Sequence, residues 1–192
     1  MATQKELIIL IALIILIVAL VKIVEFIKVD VVEADASKFV MEDLHSRYSG
    51  ADIEIITIRE LKNDADEKYF EIKARVTKNY LTPCPERMHI YYNYPVQNFV
   101  AQPTEHITRN CEVCAEGTCT IAFPEEAIIA SHTFAGTEDV HAYTEKEAVY
   151  PSVSEGEEQW TVTWDSPVIT EYYVVVVSKS GEIVSVEEIQ KE

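Results

Sequence analysis

Four cysteines form the one pattern in this chain whose residue types and spacing could do chemistry. Cys84 stands between Pro83 and Pro85, and Cys111, Cys114 and Cys119 fall close together as Cys-Glu-Val-Cys-Ala-Glu-Gly-Thr-Cys. Oxidised, four cysteines can pair in three ways and would staple a domain that folds outside the reducing cytosol. As thiolates, the same four could hold Zn2+ tetrahedrally. One C-x2-C knuckle is present, Cys111 and Cys114, and His106 could add a ligand. A ribbon-type site wants two knuckles, and the second is missing. Disulfides are therefore the leading expectation for Cys84, Cys111, Cys114 and Cys119, with a structural zinc site on the same four residues as the alternative. Two bridges would pin the irregular 98–120 region to the strands near Cys84.

Other site chemistry is sparse. Read in reverse, the C-x2-C-x4-C order with one distant cysteine is similar to that of plant-type ferredoxins, a third and weaker option. No G-x-S-x-G, Walker A, H-E-x-x-H or dinucleotide-binding glycine pattern occurs. The five histidines, His45, His89, His106, His132 and His141, have no nucleophile or acid at a known catalytic spacing. If there were activity, Ser131-His132 and His141 would be the first residues to test. The expectation is no catalytic residue, no cofactor and no enzyme.

Charge narrows the partners. The chain carries 33 acidic against 16 basic residues, a formal net charge of −17, with no basic run. Nucleic-acid binding depends on neutralising phosphates with Lys and Arg, so that class is set aside. The acids gather at Glu138-Asp139, Glu145 to Glu147 and Glu155 to Glu158. None has the spacing of an EF-hand loop, and a solvated surface accounts for them.

A very different stretch precedes all this. Residues 7–21 read LIILIALIILIVALV, and the apolar character continues to Ile27 around Lys22 and Glu25. A spanning helix needs about twenty apolar residues, and a helix of a globular domain would show a polar face, which this run lacks. No small-x-small cleavage site follows it. The expectation is an N-terminal transmembrane-type apolar helix, a single-pass uncleaved anchor touching membrane lipid through residues 7–27. Lys22, Lys28 and Lys38 after the run, against Lys5 before it, favour a cytoplasmic C-terminal domain by the positive-inside rule. The cysteines favour the outside, and an extracytoplasmic domain is expected. The segment with Glu6 just before the apolar run also resembles the N-terminal helix of type IV pilin-like proteins. That resemblance implies a filament subunit whose helix moves from membrane to filament core. No glycine-type processing site precedes Glu6, which is where the chain departs from the family pattern.

Beyond residue 30 the chain reads as a single α+β domain of antiparallel strands with two short helices, spanning 31–192. A helix is expected over 37–48, with Phe39, Val40, Leu44 and Tyr48 near one face. A strand follows over 53–58, with a phase change at Ile55-Ile56 that suggests a bulge. Residues 69–80 alternate well, with Phe70, Ile72, Ala74, Val76 and Tyr80 on one face. Further strands are expected over 87–94, 160–164, 172–177 and 182–186, and a second helix over 124–132 with Pro124 in its first turn. Residues 133–156 read as an acidic loop. The order suggests two similar halves, 37–94 and 124–188, around a Cys-containing insertion, 98–120. The final hairpin, 172–187, resembles PepSY-type and cystatin-like modules, which supports the fold class and implies no activity. Tyr91, Tyr92, Tyr94, Tyr172 and Tyr173 could form an exposed recognition row, although cross-strand packing is the simpler reading. Together these features point to a membrane-anchored extracytoplasmic binding or assembly domain. The alternatives are a pilin-like filament subunit and an accessory subunit of a membrane complex, with a protein partner or self-assembly in each case.

Overall fold

The computed structural model describes residues 12–20, 22, 32–96, 103–114 and 119–191. The chain divides into two compact units, Met1–Val32 and Glu33–Glu192. In the first, residues 12–20 are helical and expose their apolar side chains. Among the described residues no helix is long and apolar enough to cross a membrane, which overturns the expected transmembrane-type helix. Of the rest of the 7–27 run only Lys22, also helical and exposed, is among the described residues.

The second unit corrects the fold class in another way. Among its described residues it holds two separate four-stranded antiparallel sheets, each a simple meander, and three helices, where a single β-rich domain with two short helices was expected. The first comprises β1 (Asp52–Lys62), β2 (Lys68–Lys78), β3 (Glu86–Tyr94) and β4 (Glu105–His106). The second comprises β5 (Tyr150–Glu155), β6 (Gln159–Asp165), β7 (Glu171–Ser178) and β8 (Ile183–Gln190). Three helices accompany them: α1 (Glu33–Arg47), α2 (Pro124–Thr133) and α3 (Glu138–Thr144).

In the first sheet the alternation of β2 sets the layers. Phe70, Ile72, Ala74 and Val76 are buried on one face, beside Met88 and Ile90 of β3. Helix α1 covers that face with Ala36, Val40 and Leu44, spaced four apart along one stripe. Asp43 and Phe39 of α1 reach the far end of β3: the Tyr92 hydroxyl donates to Asp43, and Phe39 packs on Tyr94 with centroids 5.1 Å apart. The β1 register slips between Ile55 and Thr57, so Ile56 is the bulge residue. The β1–β2 turn closes on Asn63, whose side-chain oxygen accepts from the Ala65 and Glu67 amides at 3.0 and 2.9 Å.

The second sheet packs on α2. Trp160, Val162, Trp164, Val175 and Val177 are buried against Ala127, Ile128, Val140 and Tyr143. Each indole finds a partner: Trp160 Nε1 donates to the Ile121 carbonyl at 2.9 Å, and Trp164 Nε1 to Ser131 Oγ at 3.0 Å. Pro124 opens α2, and the Glu126 carboxylate accepts from the Ala122 and Phe123 amides that precede it. Residues 133–156, expected to be loop, contain α3 and β5. The β7–β8 turn places Gly181 at φ +82°, where a Cβ would run into Cys119 Sγ, so both the backbone and the space demand glycine.

Leu44 is fully buried at the α1–sheet contact. Leu44→Ala is expected to lower stability by about 2–5 kcal/mol, read as a fall in the urea midpoint. A loss below about 0.5 kcal/mol would mean that α1 does not close this core.

Candidate functional site

Part of the polar face of the first sheet is buried as well. Thr77, Arg87 and His89 are 1, 6 and 2% exposed. What covers them is the start of α2. Arg87 Nη1 donates to Glu125 Oε2 at 2.9 Å, Thr77 Oγ1 donates to Glu125 Oε1 at 2.8 Å, and the guanidinium lies 3.8 Å from the Phe123 ring centroid. Arg87 Nε also points at His89 Nε2, 3.4 Å away. His89 Nδ1 in turn lies 3.0 Å from Glu105 Oε2, which also accepts from the Tyr91 hydroxyl at 2.7 Å. These bonds assign His89 as the neutral Nδ1–H tautomer, accepting from Arg87 and donating to Glu105. Burial is the main cause holding the His89 pKa below its ordinary value, with Lys73 and Arg87 adding to it; Glu105 pulls the other way.

Beside this network lies a cavity of about 370 Å3 lined by Ile55, Ile56, Lys73, Arg75, Arg87 and Phe123, with Glu54 and His89 completing its wall. Its cations are already paired. Lys73 sits 3.5 Å from Glu105, Arg75 bridges Asp52 and Glu54, and Arg87 holds Glu125. With three cations facing four carboxylates, the cluster is a structural joint rather than an open anion cradle.

The cysteines pair as Cys84–Cys111 and Cys114–Cys119. Sulfurs in a disulfide have no thiolate charge to give a metal, so zinc on all four would need both bridges reduced. The first bridge closes a loop across 27 residues and contributes about 3–4 kcal/mol in the chain-entropy model. The second spans 5 residues and contributes about 2 kcal/mol by the same reasoning. Cys84–Cys111 ties the segment after β4 to the β2–β3 connection. Cys114–Cys119 rests on the Gly181 turn of the second sheet. The insertion thus straps one sheet to the other.

His132 is brought to the first bridge from 21 residues away, with Nε2 3.6 Å from Cys111 Sγ. Its Nδ1 faces the Ile128 carbonyl at 2.9 Å, its ring meets Trp164 edge-on, and it stacks on His141 with centroids 5.9 Å apart. Burial lowers the His132 pKa, so the ring is neutral near pH 7. The Cys84, Cys111 and His132 donor atoms lie within 4.8 Å of one another. No local spacing in the sequence signals this group. Ser131, adjacent in sequence, is not part of it: its hydroxyl donates to the Ile128 carbonyl and accepts from Trp164. The Ser131-His132 pair is therefore not a nucleophile–base dyad. His45 and His106 lie on exposed stretches of α1 and β4.

Four of the five tyrosines of the expected row are engaged within the fold. Tyr91 bonds Glu105, Tyr92 bonds Asp43, Tyr94 packs on Phe39, and Tyr173 bonds Glu188 and packs on Tyr143. The acidic runs are exposed on α3, the turn after it and the β5–β6 hairpin.

Two outcomes follow from the buried joint. Glu125→Ala strands the Arg87 guanidinium without a carboxylate and is expected to cost about 3–5 kcal/mol, whereas Arg87→Met with Glu125→Leu costs far less. Urea denaturation of the single and double variants measures the difference, and equal losses would contradict it. The second outcome concerns pH. His89 and His132 bind protons more weakly folded than unfolded, so their contribution is complete above about pH 7 and is lost as pH falls through about 6.5. Glu126, whose carboxyl burial pushes up, acts the other way but only in the carboxylate range. Calorimetry should show Tm falling between about pH 7.5 and 5.5, with a shallower fall in His89→Gln. A Tm that rises over that interval contradicts the assignment.

Comparison of the chain with family models, with curated protein sequences and with solved structures returned no match, so the functional reading rests on the geometry described above.

Proposed function

We propose that this protein is an extracytoplasmic binding or assembly domain, held at its place of action through its apolar N-terminal segment. The observation that carries the reading is the helical stretch at 12–20. Leu13, Ile14, Ile15, Leu16, Ile17, Val18 and Leu20 are each 51–63% exposed. Covering the remaining half of seven such side chains is worth on the order of 5–10 kcal/mol, and lipid or other apolar helices can supply that cover. The two disulfides support the compartment, because such bonds form and persist in oxidising, extracellular-type environments.

Glu6 before the apolar run favours one variant of this reading, a pilin-like subunit whose apolar segments pack together in a filament core. The full chain tests both variants. Mixed with phosphatidylcholine–phosphatidylglycerol vesicles it is expected to float with them, and without lipid it is expected to sediment as assemblies. Ile14→Lys with Ile17→Lys should abolish both behaviours and leave the far-UV circular dichroism unchanged. Filaments in electron micrographs would select the pilin-like variant. A wild-type chain that stays monomeric and does not float would overturn the proposal.

A further inference from the structure

We propose that Cys84, Cys111 and His132 form a zinc site that the Cys84–Cys111 disulfide keeps closed and that reduction opens. The three donor atoms already lie within 4.8 Å of one another, the spread of ligands around one ion. His132 is set as a ligand. The Ile128 carbonyl, 2.9 Å from Nδ1, takes that nitrogen's proton in a hydrogen bond and leaves the Nε2 lone pair facing the sulfurs. Backbone carbonyls hold metal-bound imidazoles in the same way. The ring cannot swing aside, because Trp164 meets its edge and His141 its face.

The sulfurs stay near each other without their covalent bond. Thr108 Oγ1 accepts from the Arg87 amide at 2.8 Å and donates to the Pro85 carbonyl at 2.8 Å. The Ile107 and Thr108 amides both donate to the Arg87 carbonyl. This clamp joins the chain beside Cys84 to the chain leading into Cys111. Access is open on either side. A cavity of about 360 Å3 reaches Cys111 past Glu112, Thr133 and Phe134, and one of about 330 Å3 reaches His132 past Phe134 and His141.

The reaction is a thiol–disulfide exchange followed by metal capture. A dithiol reductant delivers two electrons and two protons to the S–S bond and leaves as its own disulfide. Zn2+ then displaces both thiol protons to water and takes two thiolates, one imidazole and, in its fourth position, a water. The inference does not depend on how the N-terminal segment is covered.

The test uses the full chain carrying Cys114→Ser and Cys119→Ser, so that two cysteines remain. It is reduced with a phosphine, which takes up the oxygen of one water as it opens the bond, and is kept without oxygen. Zn2+ is titrated against a chromophoric chelator, and Co2+ reports the thiolate ligands by its charge-transfer absorption. One Zn2+ per reduced chain, none per oxidised chain, and at least a tenfold loss of affinity in His132→Ala are expected. Near-UV circular dichroism follows the fold throughout. The inference is overturned if the reduced chain binds no Zn2+, if His132→Ala binds it as tightly, or if the metal-free reduced chain has lost its native near-UV signal.

Discussion

The carboxylate of Glu125 is the point on which the two sheets depend. It leaves the first turn of α2, a helix that otherwise belongs to the second sheet, and enters the polar face of the first. There it takes hydrogen bonds from Arg87 and Thr77 where almost no water reaches. A buried ion pair contributes little net stability compared with apolar packing, and breaking one half of it is expensive. Its value here is positional. Glu125 fits one partner geometry, and the chain His89–Glu105–Tyr91 behind Arg87 fixes that geometry further. The two cores do the folding; the Arg87–Glu125 contact decides how they meet.

The insertion between the sheets does the same, with a covalent tie at one end and a packing contact at the other. One disulfide holds it to the β2–β3 connection and the other rests on the β7–β8 turn. Polar joint and covalent strap lie at opposite ends of α2, Glu125 in its first turn and His132 in its last. Reduction of Cys84–Cys111 would leave the Glu125 end intact, which is why the sulfurs and His132 can be treated as a site that persists rather than as debris of an unfolded loop.

Much of this was legible in the residues. The alternation of 69–80, the doubled isoleucine at the β1 bulge, Pro124 at a helix start and the Trp160/Val162/Trp164 strand are local patterns, and each corresponds to an observed element, although β2 ends at Lys78 and leaves Tyr80 exposed beyond it. What escaped is non-local or too short to show a period. Helix α3 buries only Val140 and Tyr143, and β5 is an edge strand containing Pro151, so neither carries a full pattern. Nothing local marks Arg87 as buried, because its partner, Glu125, is 38 residues away. His132 lies 21 residues from Cys111, and nothing in either neighbourhood announces the other. The uniform apolar run suggested a spanning helix, but among the described residues no helix is long and apolar enough to cross a membrane.

The central claim is that the two sheets form one cooperative unit because of the joint at α2. Native-state hydrogen exchange read by mass spectrometry tests it directly, by comparing amides of β2 and β3 with those of β6 and β7 at low denaturant. A shared opening free energy for both sheets, separating into two values in Arg87→Ala, is the predicted result. Two distinct opening free energies in the unmodified protein would contradict the account.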